Sequence, residues 1–359
     1  MPKLIKIVHI IPTLRFGGAE RFVVDLINHC DPNLFSFSII TFSSDIPLAK
    51  ELQKKINIRV VPKTNKLGWG LTSQLVKVLQ DLKPDLVHTH LFGADVWGKR
   101  AAHQLGLPVI TTEHNINVGE SWLKNLIKKQ VNKSTDAWVA SSEAILVDLR
   151  NRYGLKQVIS VIRYGIDLAR WKAVPPLNYK LETVNFLILG RLVKQKGQAI
   201  ALKALAQLQP YQWKLQIVGS GEDELELKQL TERLGLAKRV NFIPATSKVV
   251  PIMERAQVEL VPSVWEGLGI VVMEALAAGR LVVASRVGGI PELLSTQTGY
   301  LVESGSVTAW KNVLEKILEQ PFFIQKPLIV AGQKQALTHF GMEQMISAYQ
   351  KIYAQISPK

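Results

Sequence analysis

The apolar positions of this chain follow one rhythm. Short runs rich in Val and Ile, "LIKIVHII" (4–11), "FSIITF" (37–42), "INIRVV" (56–61), "DLVHTH" (85–90), "PVITTEH" (108–114), "AWVAS" (137–141) and "VISVIR" (158–163), predict strands. Between them lie helix-length segments such as "AERFVVDLINHC", "LTSQLVKVLQDL", "ADVWGKRAAHQL" and "SEAILVDLRNRY". Strands alternating with helices predict a parallel sheet covered on both faces. The rhythm breaks over 165–182, a polar stretch holding Pro175 and Pro176. It restarts with "VNFLILG" (184–190), "WKLQIVG" (213–219), "RVNFIP" (239–244), "VELVPS" (258–263), "RLVVAS" (280–285) and "GYLV" (299–302). The pattern predicts an α/β chain of two doubly wound, Rossmann-like domains, 1–173 and 174–341. Ligands of such sheets bind beyond the carboxyl ends of the strands, and two domains can face each other across a cleft. The last segment, "MEQMISAYQKIYAQI" (342–356), repeats its apolar residues at three and four and predicts a helix. Periodicity leaves open which domain that helix covers.

Composition narrows the class. A chain of 359 residues fits two domains, and 47% apolar with 20% charged residues excludes a disordered polymer. The single cysteine, Cys30, excludes an intramolecular disulfide and fits a reducing, cytoplasmic compartment. Lys6 and His9 interrupt the first apolar run, which reads as a strand and not as a signal peptide. No apolar run approaches the length that spans a bilayer. The formal charge is +15, and residues 1–173 contribute +10 of it. Such a balance favours polyanions: nucleic acid, anionic lipid or phosphorylated substrates. Nucleic acid is disfavoured, because no basic-aromatic stacking module or known binding motif appears.

The chemistry-bearing residues cluster where strands end. In "ILGRLVKQKGQAI" (188–200), Arg191 and Lys196 follow a buried strand and precede a helix. A planar fork and a mobile point charge there suit a diphosphate, although solvated loop charges would look the same. Gly17 and Gly18 in "TLRFGGAER" (13–21) leave room for a phosphate between strand and helix, or serve a turn. Neither this loop nor "VGSGEDE" (218–224) has the spacing of a dinucleotide fingerprint, which argues against a dehydrogenase. His114 in "TTEHN" (111–115) ends a strand and can donate to a sugar or be satisfied within its loop. His88 and His90 alternate on a strand without a carboxylate or thiol cluster, so no metal is predicted. In "VPSVWEGLGIVVMEALAAG" (261–279), Gly267, Leu268, Gly269 and Ile270 open a helix whose free N–H groups attract anions. Glu266 and Glu274 flank that opening. A ligand anionic in its middle and rich in hydroxyls at its ends, such as a nucleotide sugar, reconciles the two. A glycosidase acid/base pair fits less well, since both carboxylates lie on one short segment.

Taken in order, "GGAER", "TTEHN", "GRLVKQKG", "EGLGIVVME", "AAGRLVVAS" and "GGIPEL" resemble the retaining glycosyltransferases of family 4, with the GT-B fold, over nearly the whole chain. By that resemblance, Arg191 and Lys196 hold the donor diphosphate, Glu274 the nucleotide ribose and Glu266 the transferred sugar. The Gly267–Ile270 amides and the Gly17–Gly18 loop lie near phosphates and sugar, and His114 lines the transfer site. The resemblance also implies that the last helix returns to the first domain, that no cofactor is needed, and that transfer uses no metal. The chain departs from the family pattern at Arg163 and Tyr164, at "QTGYLV" and at "NFIPA", which bears on donor recognition.

The implied reaction moves a sugar from a nucleoside diphosphate, UDP by expectation, to an acceptor hydroxyl. A saccharide or lipid-linked saccharide of a cell-surface glycan is the expected acceptor. "SWLKNLIKKQVNK" (121–133) sets Trp122, Leu123, Leu126 and Ile127 beside Lys124, Lys128, Lys129 and Lys133. Such a basic amphipathic helix is a candidate for an anionic membrane surface on the cytoplasmic side, or packs its apolar side on the sheet. A GT-B sugar-nucleotide epimerase and a non-catalytic polyanion-binding protein are the competing readings.

Overall fold

A computed structural model of the chain describes residues 4–64, 68, 70–116, 118, 119, 121–179 and 182–357. It contains two compact units: one runs to Tyr164 and takes back the chain from Glu343, the other spans Gly165–Met342. The division falls earlier than residue 173. Residues 165–173 belong to the second unit, where the Ile166 N–H donates to the Phe340 carbonyl at 2.8 Å and Arg170 donates to the Ser247 carbonyl at 2.8 Å. Gly165 lies so close to the Gly341 carbonyl that a Cβ would stand 2.5 Å from its oxygen.

In the first unit seven strands form one sheet: β1 (Ile5–Ile10), β2 (Phe35–Thr41), β3 (Asn57–Val60), β4 (Leu86–His90), β5 (Val109–Glu113), β6 (Ala137–Ala140) and β7 (Ile159–Val161). Their order is β3-β2-β1-β4-β5-β6-β7, and every pair is parallel. The order reverses between β1 and β4, where His9 pairs with His88. The helix Gly18–His29 buries Phe22, Val23, Leu26 and Ile27, and Leu71–Leu82 buries Leu71, Leu75 and Leu79, each at helical spacing. The segment expected to be one helix at 94–105 begins instead with a wider π turn at Ala94–Gly98 before the α-helix Lys99–Gln104. Just upstream, Leu91 is left-handed (φ 68°), a costly conformation for a branched residue.

From Glu343 onward, the C-terminal helix Met342–Ile356 packs within this unit. Its Tyr349 and Tyr353 are fully buried. Tyr353 Oη lies 2.8 Å from His88 Nδ1, and Tyr349 Oη lies 2.9 Å from Thr112 Oγ1.

In the second unit six strands form the sheet: β8 (Val184–Leu189), β9 (Trp213–Val218), β10 (Val240–Ile243), β11 (Val258–Val261), β12 (Leu281–Ser285) and β13 (Tyr300–Val302). All pairs are parallel in the order β10-β9-β8-β11-β12-β13, so this sheet reverses between β8 and β11. β8 and β11 stay paired only at Phe186–Val258 and Leu187–Glu259 before they part. Phe186, Leu202, Leu205, Trp213, Leu260 and Trp310 are among the side chains of the core.

Tyr353 joins the returning helix to the middle of the first sheet by both packing and a buried hydrogen bond. Tyr353→Ala should therefore destabilise the protein by about 3–5 kcal/mol, the usual cost of emptying a buried aromatic site. Urea unfolding followed by circular dichroism measures this; a loss below 1 kcal/mol would mean the helix is only loosely held.

Candidate active site

In the second unit, two loops at the carboxyl ends of the diverging strands β8 and β11 are stitched together. A short 3-10 turn, Lys194–Lys196, follows β8 and ends at left-handed Gly197 (φ 63°). A Cβ on Gly197 would collide with the Pro262 carbonyl oxygen, so only glycine lets this loop lie on the end of β11. The Val264 N–H donates to the Gln195 carbonyl at 2.8 Å, and Gln195 Nε2 donates to the Trp265 carbonyl at 3.1 Å. Gln198 Nε2 donates to the Arg191 carbonyl at 2.8 Å, while Arg191 reaches Gln195 Oε1 at 3.3 Å and otherwise lies exposed. The glycines of "VGSGEDE" have a related purpose. A Cβ on Gly219 or Gly221 would strike the carbonyl oxygens of Gly190 or Leu192.

This stitching brings Lys196 to Glu266. Lys196 Nζ lies 2.5 Å from Glu266 Oε2, which also accepts from Ser263 Oγ at 3.2 Å. Glu266 is buried, and the Lys196 side chain keeps 20% of its surface exposed. Gly267 and Leu268 precede the helix Ile270–Ala277, and left-handed Gly269 (φ 92°) is its N-cap. Glu274 sits one turn inside, half-buried. Beneath the loops is a residue that sequence reasoning passed over. Glu259 of β11 is fully buried, and its Oε1 accepts from the Leu189 N–H at 3.0 Å where β8 has left β11. Burial pushes this carboxyl well above its ordinary range, partly opposed by the Leu189 N–H. A glutamate inside the apolar run "VELV" was the available signal.

In the first unit, Gly17 is extended and Gly18 begins the helix Gly18–His29, so neither needs a left-handed glycine. The Glu20 carboxylate folds over Gly17. A carboxylate therefore shares the loop where a phosphate was expected to approach.

His114 lies just past β5, half-buried, and is joined to other histidines. Its Nε2 is 3.0 Å from His90 Nδ1, and His90 Nε2 is 2.9 Å from His9 Nδ1. His88 is fully satisfied, with Nδ1 on Tyr353 Oη and Nε2 on Thr112 Oγ1, both at 2.8 Å. Burial depresses all four rings, His9 and His114 to about 3 and His88 and His90 well below their usual value, so each is neutral at physiological pH. His9, His88 and His90 place donor nitrogens within 4.8 Å of one another, the geometry of a candidate metal group. Those nitrogens already bond one another, Tyr353 and Thr112, and only His9 Nε2 lacks a partner among the described residues. A cation there would have to break that set.

Lys128 was expected on a basic surface but is fully buried. It is ion-paired with Glu113, the residue before His114, and stands 3.6 Å from Asp95, which also has Lys99 at 3.5 Å. Burial pulls the Lys128 ammonium down, but the Glu113 and Asp95 carboxylates outweigh it and raise its pKa, so it stays charged. The helix Trp122–Val131 thus packs through Lys128 and Val131. Its other side leaves Trp122, Leu123 and Leu126 exposed by 76%, 51% and 56%, beside exposed Lys124, Lys129 and Lys133.

Two family models match the chain, "Glycosyltransferase Family 4" over residues 16–170 and "Glycosyl transferases group 1" over 170–335. The chain belongs to the group 1, family 4 glycosyltransferases. An uncharacterized glycosyltransferase of Haemophilus influenzae is 28% identical over 94% of this chain and 96% of that protein. The D-inositol 3-phosphate glycosyltransferase of Xylanimonas cellulosilytica is 28% identical over 77% and 73%. The crystal structure of Anabaena Alr3699/HepE in complex with UDP and glucose superimposes with a TM-score of 0.85 at 23% identity, covering 98% of this chain and 100% of that one. The glycosyltransferase therefore has the GT-B fold. Among its described residues no helix is long and apolar enough to cross a membrane.

The two lysines of one helix should separate cleanly on substitution. Lys128→Met strands the buried Glu113 carboxylate, while Asp95 keeps Lys99, and should cost about 3–5 kcal/mol, whereas Lys129→Met should change stability by less than about 0.5 kcal/mol. Thermal unfolding of both variants checks this; equal effects would contradict the buried network.

Proposed function

We propose that this glycosyltransferase moves a sugar from a UDP-linked donor to an acceptor hydroxyl with retention of anomeric configuration. The observation that carries the reading is the Lys196–Glu266 pair at the parting of β8 and β11, a carboxylate held by the cation meant for a diphosphate. The complex of HepE with UDP and glucose supports the choice of donor. In the proposed Michaelis complex Lys196 and Arg191 turn to the diphosphate, and Glu266, released, accepts from sugar hydroxyls. The N–H groups of Gly267–Ile270 face the same phosphates, and Glu274 takes the ribose hydroxyls. The C1–O bond to the diphosphate breaks as the acceptor oxygen bonds C1 from the same face, and the acceptor proton passes to the departing phosphate oxygen. Charge on the leaving group is met by Arg191, Lys196 and the helix start, an electrostatic role that requires no metal. His114 donates to the sugar.

The reading divides the two glutamates. Arg191→Ala or Lys196→Ala should lower turnover of UDP-glucose by about 10²–10³, the cost of removing one preorganised charge partner. By calorimetry, Glu274→Gln should weaken UDP binding about tenfold. Glu266→Gln should not weaken it, because the substitution frees Lys196. Equal losses of UDP affinity in the two glutamine variants would refute the assignment.

The acceptor in this reading is a lipid-linked saccharide at an anionic membrane. Its support is the unpaired apolar side of the helix Trp122–Val131, with Trp122, Leu123 and Leu126 beside three exposed lysines. Sedimentation with phosphatidylserine vesicles should capture the protein at low salt and release it as salt rises. Trp122→Ser with Lys124, Lys129 and Lys133 changed to Gln should abolish capture and leave UDP affinity unchanged. Protein that stays in the supernatant at low salt rules out the membrane reading.

A further inference from the structure

The histidines of the first unit form a line, not a cluster without direction. His9 is fully buried on β1, His90 ends β4, and His114 lies just past β5, with contacts of 2.9 and 3.0 Å between successive rings. Each neutral ring carries one N–H, and each contact consumes one. Two arrangements satisfy both contacts. In one, every ring donates inward, and the last N–H falls on His9 Nε2. In the other, every ring donates outward, so His9 Nδ1–H donates to His90 Nε2, and His90 Nδ1–H donates to His114 Nε2. The last N–H then stands on His114 Nδ1.

His9 Nε2 decides between them. It is buried and has no partner among the described residues; the rings of Phe37 and Tyr353 lie 5.6 and 6.5 Å from its own. An N–H stranded there would be an orphaned buried donor, the rarer defect among buried polar groups. His114 Nδ1 is the opposite case. His114 is half-buried, its Nε2 is taken by His90, and its Nδ1 has no partner among the described residues. An N–H at that end can meet solvent or substrate.

We infer that His9 and His90 are positioning residues that fix the tautomer of His114, so that it presents an Nδ1–H donor and never a bare acceptor nitrogen. Imidazole side chains in water favour the Nε2–H form, so three consecutive Nδ1–H rings depart from the solution preference. The line is held in register at its inner end. His9 pairs with His88 across β1 and β4, and His88 is pinned by Tyr353 and Thr112. That His114 uses its donor on the transferred sugar rests on the function proposed above. The tautomer itself does not.

Side-chain ¹⁵N–¹H correlation spectra of the ¹⁵N-histidine-labelled full chain test this directly. His9, His90 and His114 should each show a protonated Nδ1 and a bare Nε2 at pH 7. A protonated Nε2 on His114 overturns the inference. Two variants separate tautomer control from packing. His90→Phe keeps the ring volume and removes the donor, so His114 should revert to Nε2–H, and UDP release from UDP-glucose should slow at least tenfold with KM within about twofold. His90→Asn leaves a smaller side chain but keeps an N–H near the Nδ1 position, so both the His114 tautomer and turnover should be largely retained. A role in packing alone predicts the reverse order, with Asn damaging and Phe benign, and would overturn the proposal. If His90→Phe shifts the tautomer while turnover is unchanged, the relay stands and the placement of His114 at the sugar fails.

Discussion

The second unit depends on one close approach of backbone to backbone. Gly197 lies on the carbonyl of Pro262 where no Cβ fits, and that contact sets the loop after β8 directly on the loop after β11. The other features of the site follow from it. Gln195 can reach the Trp265 carbonyl and the Val264 N–H only because the loops touch, and the same contact delivers Lys196 Nζ to within 2.5 Å of Glu266. A larger residue at 197 would separate the cation from the carboxylate before affecting the sheet. The ion pair also resolves the tension of an anion nest flanked by glutamates. Without ligand, Glu266 is neutralised by the lysine that the proposed diphosphate would draw away.

Each unit, taken by itself, has buried polar groups where its strand order reverses. Between β1 and β4 these are neutral imidazoles, and between β8 and β11 it is the carboxyl of Glu259, which burial pushes toward its neutral form. Burial makes the neutral forms the stable ones, since an isolated buried charge is far costlier than a hydrogen-bonded neutral group. The buried charges of Lys128, Glu113, Asp95 and Lys99 come as a mutually paired group. Strained Leu91 stands between His90 and the π turn that carries Asp95, so the backbone outlier lies at the junction of these two networks.

Much of this was legible in the sequence, and the exceptions share a cause. Val- and Ile-rich runs located the strands because parallel strands buried on both faces are apolar throughout. Arg191, Lys196, Glu266 and Glu274 were singled out as candidates from their places at strand ends and helix starts, which are local features. Lys128 was misread because periodicity describes one helix alone, while its partners Asp95 and Glu113 come from other elements. Periodicity gave the tail helix a stripe without a destination, which only the family resemblance supplied, since Tyr353 meets His88 across 265 residues of sequence. His9 looked like an interruption of an apolar strand, and only the pairing of β1 with β4 gives it neighbours. The glycines of "VGSGEDE" were visible, but their purpose lies in the carbonyls of Gly190 and Leu192.

The central claim is that Lys196 is shared between Glu266 and the donor diphosphate. A crystal structure of the protein with UDP-glucose tests it most directly. The account predicts Lys196 Nζ within about 3 Å of a diphosphate oxygen, its contact with Glu266 broken, and Glu266 accepting from a hydroxyl of the glucose. A donor bound with the Lys196–Glu266 pair intact and the diphosphate elsewhere would contradict it.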